Sequence, residues 1–119
     1  MALEPSPLFL VFDGSALEGL LYRIVVSCPP ILDDFTSYEV LGRAYNRRDF
    51  FKGIGVSMHT SRERAVAVAQ RFNLGRGVAA LELRTLPIAW ARTGGRGHIT
   101  VWAPAELLLR AVVQCDEHE

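Results

Sequence analysis

The stretch from Gly53 to Phe72, GIGVSMHTSRERAVAVAQRF, changes its hydrophobic period within a few residues, and this constrains the fold more than any other feature of the chain. Ile54, Val56 and Met58 alternate with Gly55, Ser57 and His59, the two-residue period of a half-buried strand. Thr60-Ser61-Arg62-Glu63 then fits a capping box, in which the Thr60 hydroxyl accepts from the amide of Glu63 and the Glu63 carboxylate reaches back. Beyond it, Ala65, Val66, Val68, Ala69 and Phe72 make one broad apolar side of a helix. Ser57, His59 and Thr60 therefore fall where a strand ends and a helix begins. Such a junction offers amide donors and the positive end of a helix dipole.

The remaining segments are short. Residues Met1 to Pro7 read as a loose start, and Leu8 to Phe12 as a short strand. Leu20 to Ser27 is a strand carrying one charge, Arg23, and Cys28-Pro29-Pro30 ends it because proline cannot donate to a ladder. Asp33 or Asp34 caps a short helix with Phe35, Tyr38 and Leu41 on one side and Gly42 as its stop. Arg43 to Lys52 is a polar loop with aromatic anchors, either simply solvated or a recognition loop.

After residues 73–77 break the central helix, Val78 to Thr85 reads as a strand with Glu82 inside it. Ile88 to Arg92 is a further extended piece, Thr93 to Gly97 a glycine-rich turn, and His98 to Trp102 a clean alternating strand. One helical turn through Leu108 leads to a last strand, Leu109 to Cys115, and residues 116–119 form a charged tail. The sum is one α+β domain spanning residues 1–119, with about six or seven strands in a mostly antiparallel sheet and two helices.

Composition narrows the classes. Thirteen basic and thirteen acidic residues leave no net charge, which argues against nucleic acid as a partner and against attraction to an anionic membrane. No apolar run approaches the roughly 18 residues of a spanning helix. The basic set is twelve Arg and one Lys, Lys52; a high-GC genome explains this, and so does a phosphate-bearing ligand. Cys28 and Cys115 lie far apart with no Cys/His cluster, so no metal site is expected. Nothing resembles a signal peptide, so the expectation is a reduced, cytoplasmic protein, with one disulfide as the alternative.

Candidate chemistry gathers on three strands. Arg23 lies in an apolar strand and needs a partner, with Glu82, Glu39 or a ligand anion as candidates. Ser57 and His59 share a strand face that suits a ligand cleft or water. His98, Thr100 and Trp102 share a face of the later strand, polar at one end and aromatic at the other, where His98 can act as a base or orient a ligand. No Ser/His/Asp triad follows from the spacing, and Gly94 to Gly97 does not stand between a strand and a helix as a dinucleotide-binding loop would.

The order of LYR (Leu21 to Arg23), VSMHTS (Val56 to Ser61) and GHITVWAP (Gly97 to Pro104) resembles the ADP-ribosyltransferase superfamily, especially small bacterial toxin-like members. The third piece is similar to an H-x-T strand of a type VI secretion toxin group. The resemblance implies a split sheet with NAD between two small sheets. It implies Arg23 as anion clamp, and Ser57 with Thr60 or Ser61 as the wall of the nicotinamide pocket, beside His59 and Thr100. It places His98 at the third position as the catalytic or orienting group and Trp102 as an aromatic wall. Many members carry a glutamate at that third position, where it stabilises the cation formed as the nicotinamide bond breaks. This chain has His98 and Thr100 there instead, with Glu82 as one candidate acid from elsewhere.

The function expected is an NAD-binding mono-ADP-ribosyltransferase or an NAD-consuming toxin-like protein. The alternative is a non-catalytic module that holds a protein partner, of toxin and antitoxin type. An RNA-directed activity would require Arg43, Arg47, Arg48, Arg92 and Arg96 to converge.

Overall fold

The computed structural model describes residues 12–42 and 55–118. The expected strand Leu8 to Phe12 (Phe12 apart), the loop Arg43 to Lys52 and the first residues of the 53–72 unit lie outside them.

Six strands form one sheet: β1 Leu21–Val25, β2 Val56–His59, β3 Gly77–Leu81, β4 Ala89–Arg92, β5 His98–Trp102 and β6 Val112–Glu117. Their order is β4-β5-β2-β1-β3-β6, and every pairing is antiparallel. Among the described residues three α segments accompany them: a single turn α1 (Tyr38–Leu41), the long helix α2 (Arg62–Phe72) and α3 (Ala105–Arg110). Two 3-10 turns, Gly14–Ala16 and Leu32–Phe35, complete the elements.

The sheet is two three-stranded halves. In one, β1 pairs along its length with β3, from Leu21 opposite Leu81 to Val25 opposite Gly77, and β3 pairs with β6. In the other, β2 pairs with β5 and β5 with β4. Between the halves, β1 and β2 meet at one pair among the described residues, Tyr22 opposite His59.

Strand alternation decides the two faces. Leu21, Val25, Val56, Met58, Ile99 and Val101 bury into the main core with Phe35 and Leu108, so this face is closed by the 3-10 turn at residues 32–35 and by α3. Helix α2 covers β1, β2 and β3 on the other side. It buries only Ala65 and Ala69, small residues that let a helix lie close to a sheet. Phe72, expected on the apolar side, is exposed and carries the Arg71 guanidinium 5.2 Å from its ring centre.

Several expected boundaries move. Ser61, not Thr60, caps α2: its hydroxyl accepts from the Arg64 amide at 3.2 Å. The Thr60 amide donates to Gly97 O at 2.9 Å, which holds Thr60 against the residues before β5 and defers the turn by one residue. Asn73 ends the helix in the left-handed conformation (φ 52°). Strand β3 stops at Leu81, and Glu82 lies beyond it in a forked contact with Arg84. Helix α3 runs to Arg110, so β6 begins three residues after the expected Leu109 and takes in Asp116 and Glu117 of the supposed tail.

Cys28 and Cys115 form a disulfide, with Cα atoms 5.8 Å apart, which replaces the reduced pair that was expected. The reason is strand order. Cys28 follows β1, Cys115 lies on β6, and β3 between them narrows to Gly77, where a Cβ would stand 3.0 Å from the Cys28 sulfur. No described helix is long and apolar enough to cross a membrane.

Candidate functional site

Past the Tyr22–His59 pair, β1 and β2 separate. A cavity of about 370 Å³ opens there, lined on the sheet side by Arg23, Ile24, Ser57, His59 and His98. Residues Ile31, Asp33 and Asp34 close it on one side, and Val68 and Leu74 on the other.

Arg23 bridges the gap. Its Nε donates to the carbonyl of Asp34 at 2.8 Å and its Nη1 to the carbonyl of Ser57 at 3.0 Å. The guanidinium thus ties β1, β2 and the 3-10 turn together through main-chain acceptors. Neither of the carboxylates proposed for it is placed there: Glu82 pairs with Arg84, and the Glu39 side chain is not described. Asp34 is buried and fixes the same turn, accepting from the amides of Val26 (3.1 Å) and Ile31 (2.8 Å).

His59 and His98 are paired across β2 and β5 and pack edge to face, with ring centres 5.4 Å apart. His59 is only 5% exposed, and among the described residues its Nδ1 has no hydrogen-bond partner. Burial, followed by the positive neighbours His98, Arg64 and Arg23, pushes its pKa down to about 4. His59 is therefore a neutral ring at neutral pH, able to donate at one nitrogen and accept at the other. His98 is oriented differently. Its Nδ1 lies 2.9 Å from the Thr93 carbonyl and 2.9 Å from the Thr93 hydroxyl. A carbonyl can only accept, so Nδ1 carries a proton, which fixes the orientation of the ring.

The structure brings together Arg23, Ser57, His59 and His98 of the expected site and separates the rest. Thr100 is fully buried, its hydroxyl 2.7 Å from that of Thr93. It braces the threonine that holds His98 and is not a cleft residue. Thr60 is exposed and lines a different hollow with Tyr22, Arg92 and Ile99. Trp102 is not among the cleft residues; its Nε1 lies against Gly55, where a Cβ would come within 2.9 Å. Of the five arginines considered for RNA, Arg43, Arg47 and Arg48 lie outside the described residues, and Arg92 lies over the Trp90 ring.

Three contributors went unnoticed in the sequence: Asp33 and Asp34 on the cleft wall, and Thr93 behind His98. The aspartates had a signal, two adjacent carboxylates just after a double proline, but it reads equally as a helix cap. Thr93 had none beyond belonging to a glycine-rich turn.

Comparison with protein-family models, curated proteins and solved structures returned no match to this chain.

Proposed function

We propose that the cleft binds NAD and that the protein is a mono-ADP-ribosyltransferase or a related NAD-consuming, toxin-like protein. One observation carries this reading. Three segments far apart in sequence, each singled out for its resemblance, deliver Arg23, Ser57, His59 and His98 to one cavity at the seam between two half-sheets. A split sheet with a ligand between its halves is the arrangement the resemblance implies.

The proposed roles are these. Arg23 holds the cleft's shape through its two carbonyl contacts and contributes positive charge toward a pyrophosphate. His59, a neutral ring, and Ser57 line the cleft and supply hydrogen-bonding groups of the kind a ribose or carboxamide uses. His98, with its ring held through Nδ1, serves as the catalytic or orienting group at the cleft. No metal has a role in this scheme.

The test is thermal unfolding with and without millimolar NAD, on the wild type and on His98→Ala. Selective binding at ~100 times the dissociation constant stabilises the fold by about 2.7 kcal/mol. For a domain of this size that is a rise of several degrees in Tm. The rise is expected in the wild type and reduced in the variant; no rise in the wild type contradicts the proposal.

A second reading, the partner-binding module, draws on the cleft rim. Val26, Ile31 and Leu74 are 66%, 59% and 51% exposed and border the same opening. An apolar rim of this kind suits a protein partner as well as the flat face of a base. It is the reading that remains if NAD does not bind.

A further inference from the structure

Breaking the bond between ribose and nicotinamide places positive charge on the sugar, and a carboxylate facing that charge is the natural stabiliser. The third strand offers none. Thr100 is buried against Thr93, and His98 is the only ionisable side chain on β5. Glu82, considered from the sequence, is occupied by Arg84 and is not among the cleft residues.

Among the described residues two carboxylates line the cleft, and they differ. Asp34 is buried, with its oxygens taken by the amides of Val26 and Ile31. Asp33 is exposed at the cleft wall, and among the described residues its carboxylate has no hydrogen bond or ion pair. Its main chain is fixed all the same: Thr36 N donates to Asp33 O at 3.3 Å, and Arg23 grips the next residue's carbonyl. The cleft therefore holds one carboxylate committed to structure and one uncommitted, the latter on a turn anchored to the guanidinium. The same cavity is lined by His59, which is 5% exposed and whose Nδ1 has no hydrogen-bond partner among the described residues.

We infer that Asp33 is the carboxylate that faces the sugar cation, taking over from the other wall of the cleft the role that a third-strand glutamate would fill. The inference rests on the NAD reading. The step is heterolytic. The bond from C1′ to the nicotinamide nitrogen breaks, its electron pair leaves with the now neutral nicotinamide, and C1′ carries the positive charge opposite Asp33. Water or an acceptor hydroxyl forms the new bond to C1′ through oxygen, and its proton passes to solvent. Nothing is oxidised or reduced, and with water the products are ADP-ribose, nicotinamide and a proton.

The experiment measures nicotinamide release and NAD affinity in parallel, on the full chain and on Asp33→Asn, with Asp33→Ser as a second variant should the first unfold. Asn keeps the shape and removes the charge. The expected result is a fall in kcat of at least about 100-fold, with NAD affinity and Tm unchanged. A merely structural role would shift Tm or affinity and leave kcat less affected. Release by Asp33→Asn at the wild-type rate overturns the assignment while the NAD reading stands. Wild-type protein that binds NAD but releases no nicotinamide overturns it as well, and leaves a binding protein. Wild-type protein that does not bind NAD removes both.

Discussion

The two halves of the sheet are built differently. In the half formed by β1, β3 and β6, the ladders are long, β3 is buried throughout, and the Cys28–Cys115 disulfide ties the outer strands across it. The half formed by β2, β4 and β5 has no covalent tie, and it supplies Ser57, His59 and His98. Besides the shared core and α2, one backbone pair and one guanidinium link the halves among the described residues. One half thus carries a cross-link and the other does not, with polar groups at the seam between them.

The largest expected effect comes from the tie in the cross-linked half. Replacing both cysteines by serine releases a loop closed across 87 residues, which in the chain-entropy account costs about 4–5 kcal/mol. Tm should fall substantially, and amide exchange should speed up first in β6. A thiol titration that finds two free cysteines in the native protein would erase the contrast between the halves.

Arg23→Met tests the seam. It leaves two carbonyls without their charged donor, and each such bond is worth about 1.5–3 kcal/mol. A loss near 3 kcal/mol in chemical denaturation is expected, with Arg23→Lys recovering part of it. A loss below about 0.5 kcal/mol, the usual effect of a surface change, would mean the halves do not depend on the bridge.

His59 makes the half without the disulfide sensitive to acid. Its folded pKa of about 4 lies below the ordinary 6.5, so between those values the unfolded chain binds the extra proton. The contribution is full above pH 6.5, declines as pH falls, and is gone near pH 4. Its size is at most about 3 kcal/mol. Denaturation curves across this window should show the decline in the wild type and a flatter profile in His59→Gln. Equal slopes in the two would contradict the burial argument.

The smallest effect separates two adjacent residues. Ser61→Ala should cost about 1 kcal/mol as the loss of a cap. Thr60→Ala should stay within about 0.5 kcal/mol, because only its main chain is engaged. The reverse order would restore the earlier cap position.

Much of the fold could be read from local pattern, and the reason is visible in particular elements. Strand β5 spans His98–Trp102 as its pattern predicts, and Asn73 breaks α2 where a left-handed residue is needed. The segment 105–115 was harder, because Leu107-Leu108-Leu109 suits a helix or a buried strand equally and only its packing against the 32–35 turn decides. The disulfide depended on strand order, which no local pattern contains. For the site, a two-residue period assigns a side chain to a face but not what covers that face. Ser57, His59 and His98 reach the cleft, whereas Thr100 on the same face is sealed under Thr93. Asp33 was missed because its place depends on Arg23 pulling the 32–35 turn against the seam.

The most direct measurement is an NMR titration of isotope-labelled protein with NAD, following backbone amides. The account predicts saturable shifts at the seam, at Arg23, Asp33, Ser57, His59 and His98, with β6 and the hollow near Leu17, Thr60 and Arg92 little changed. No shifts at millimolar NAD, or shifts centred on that second hollow, would contradict it.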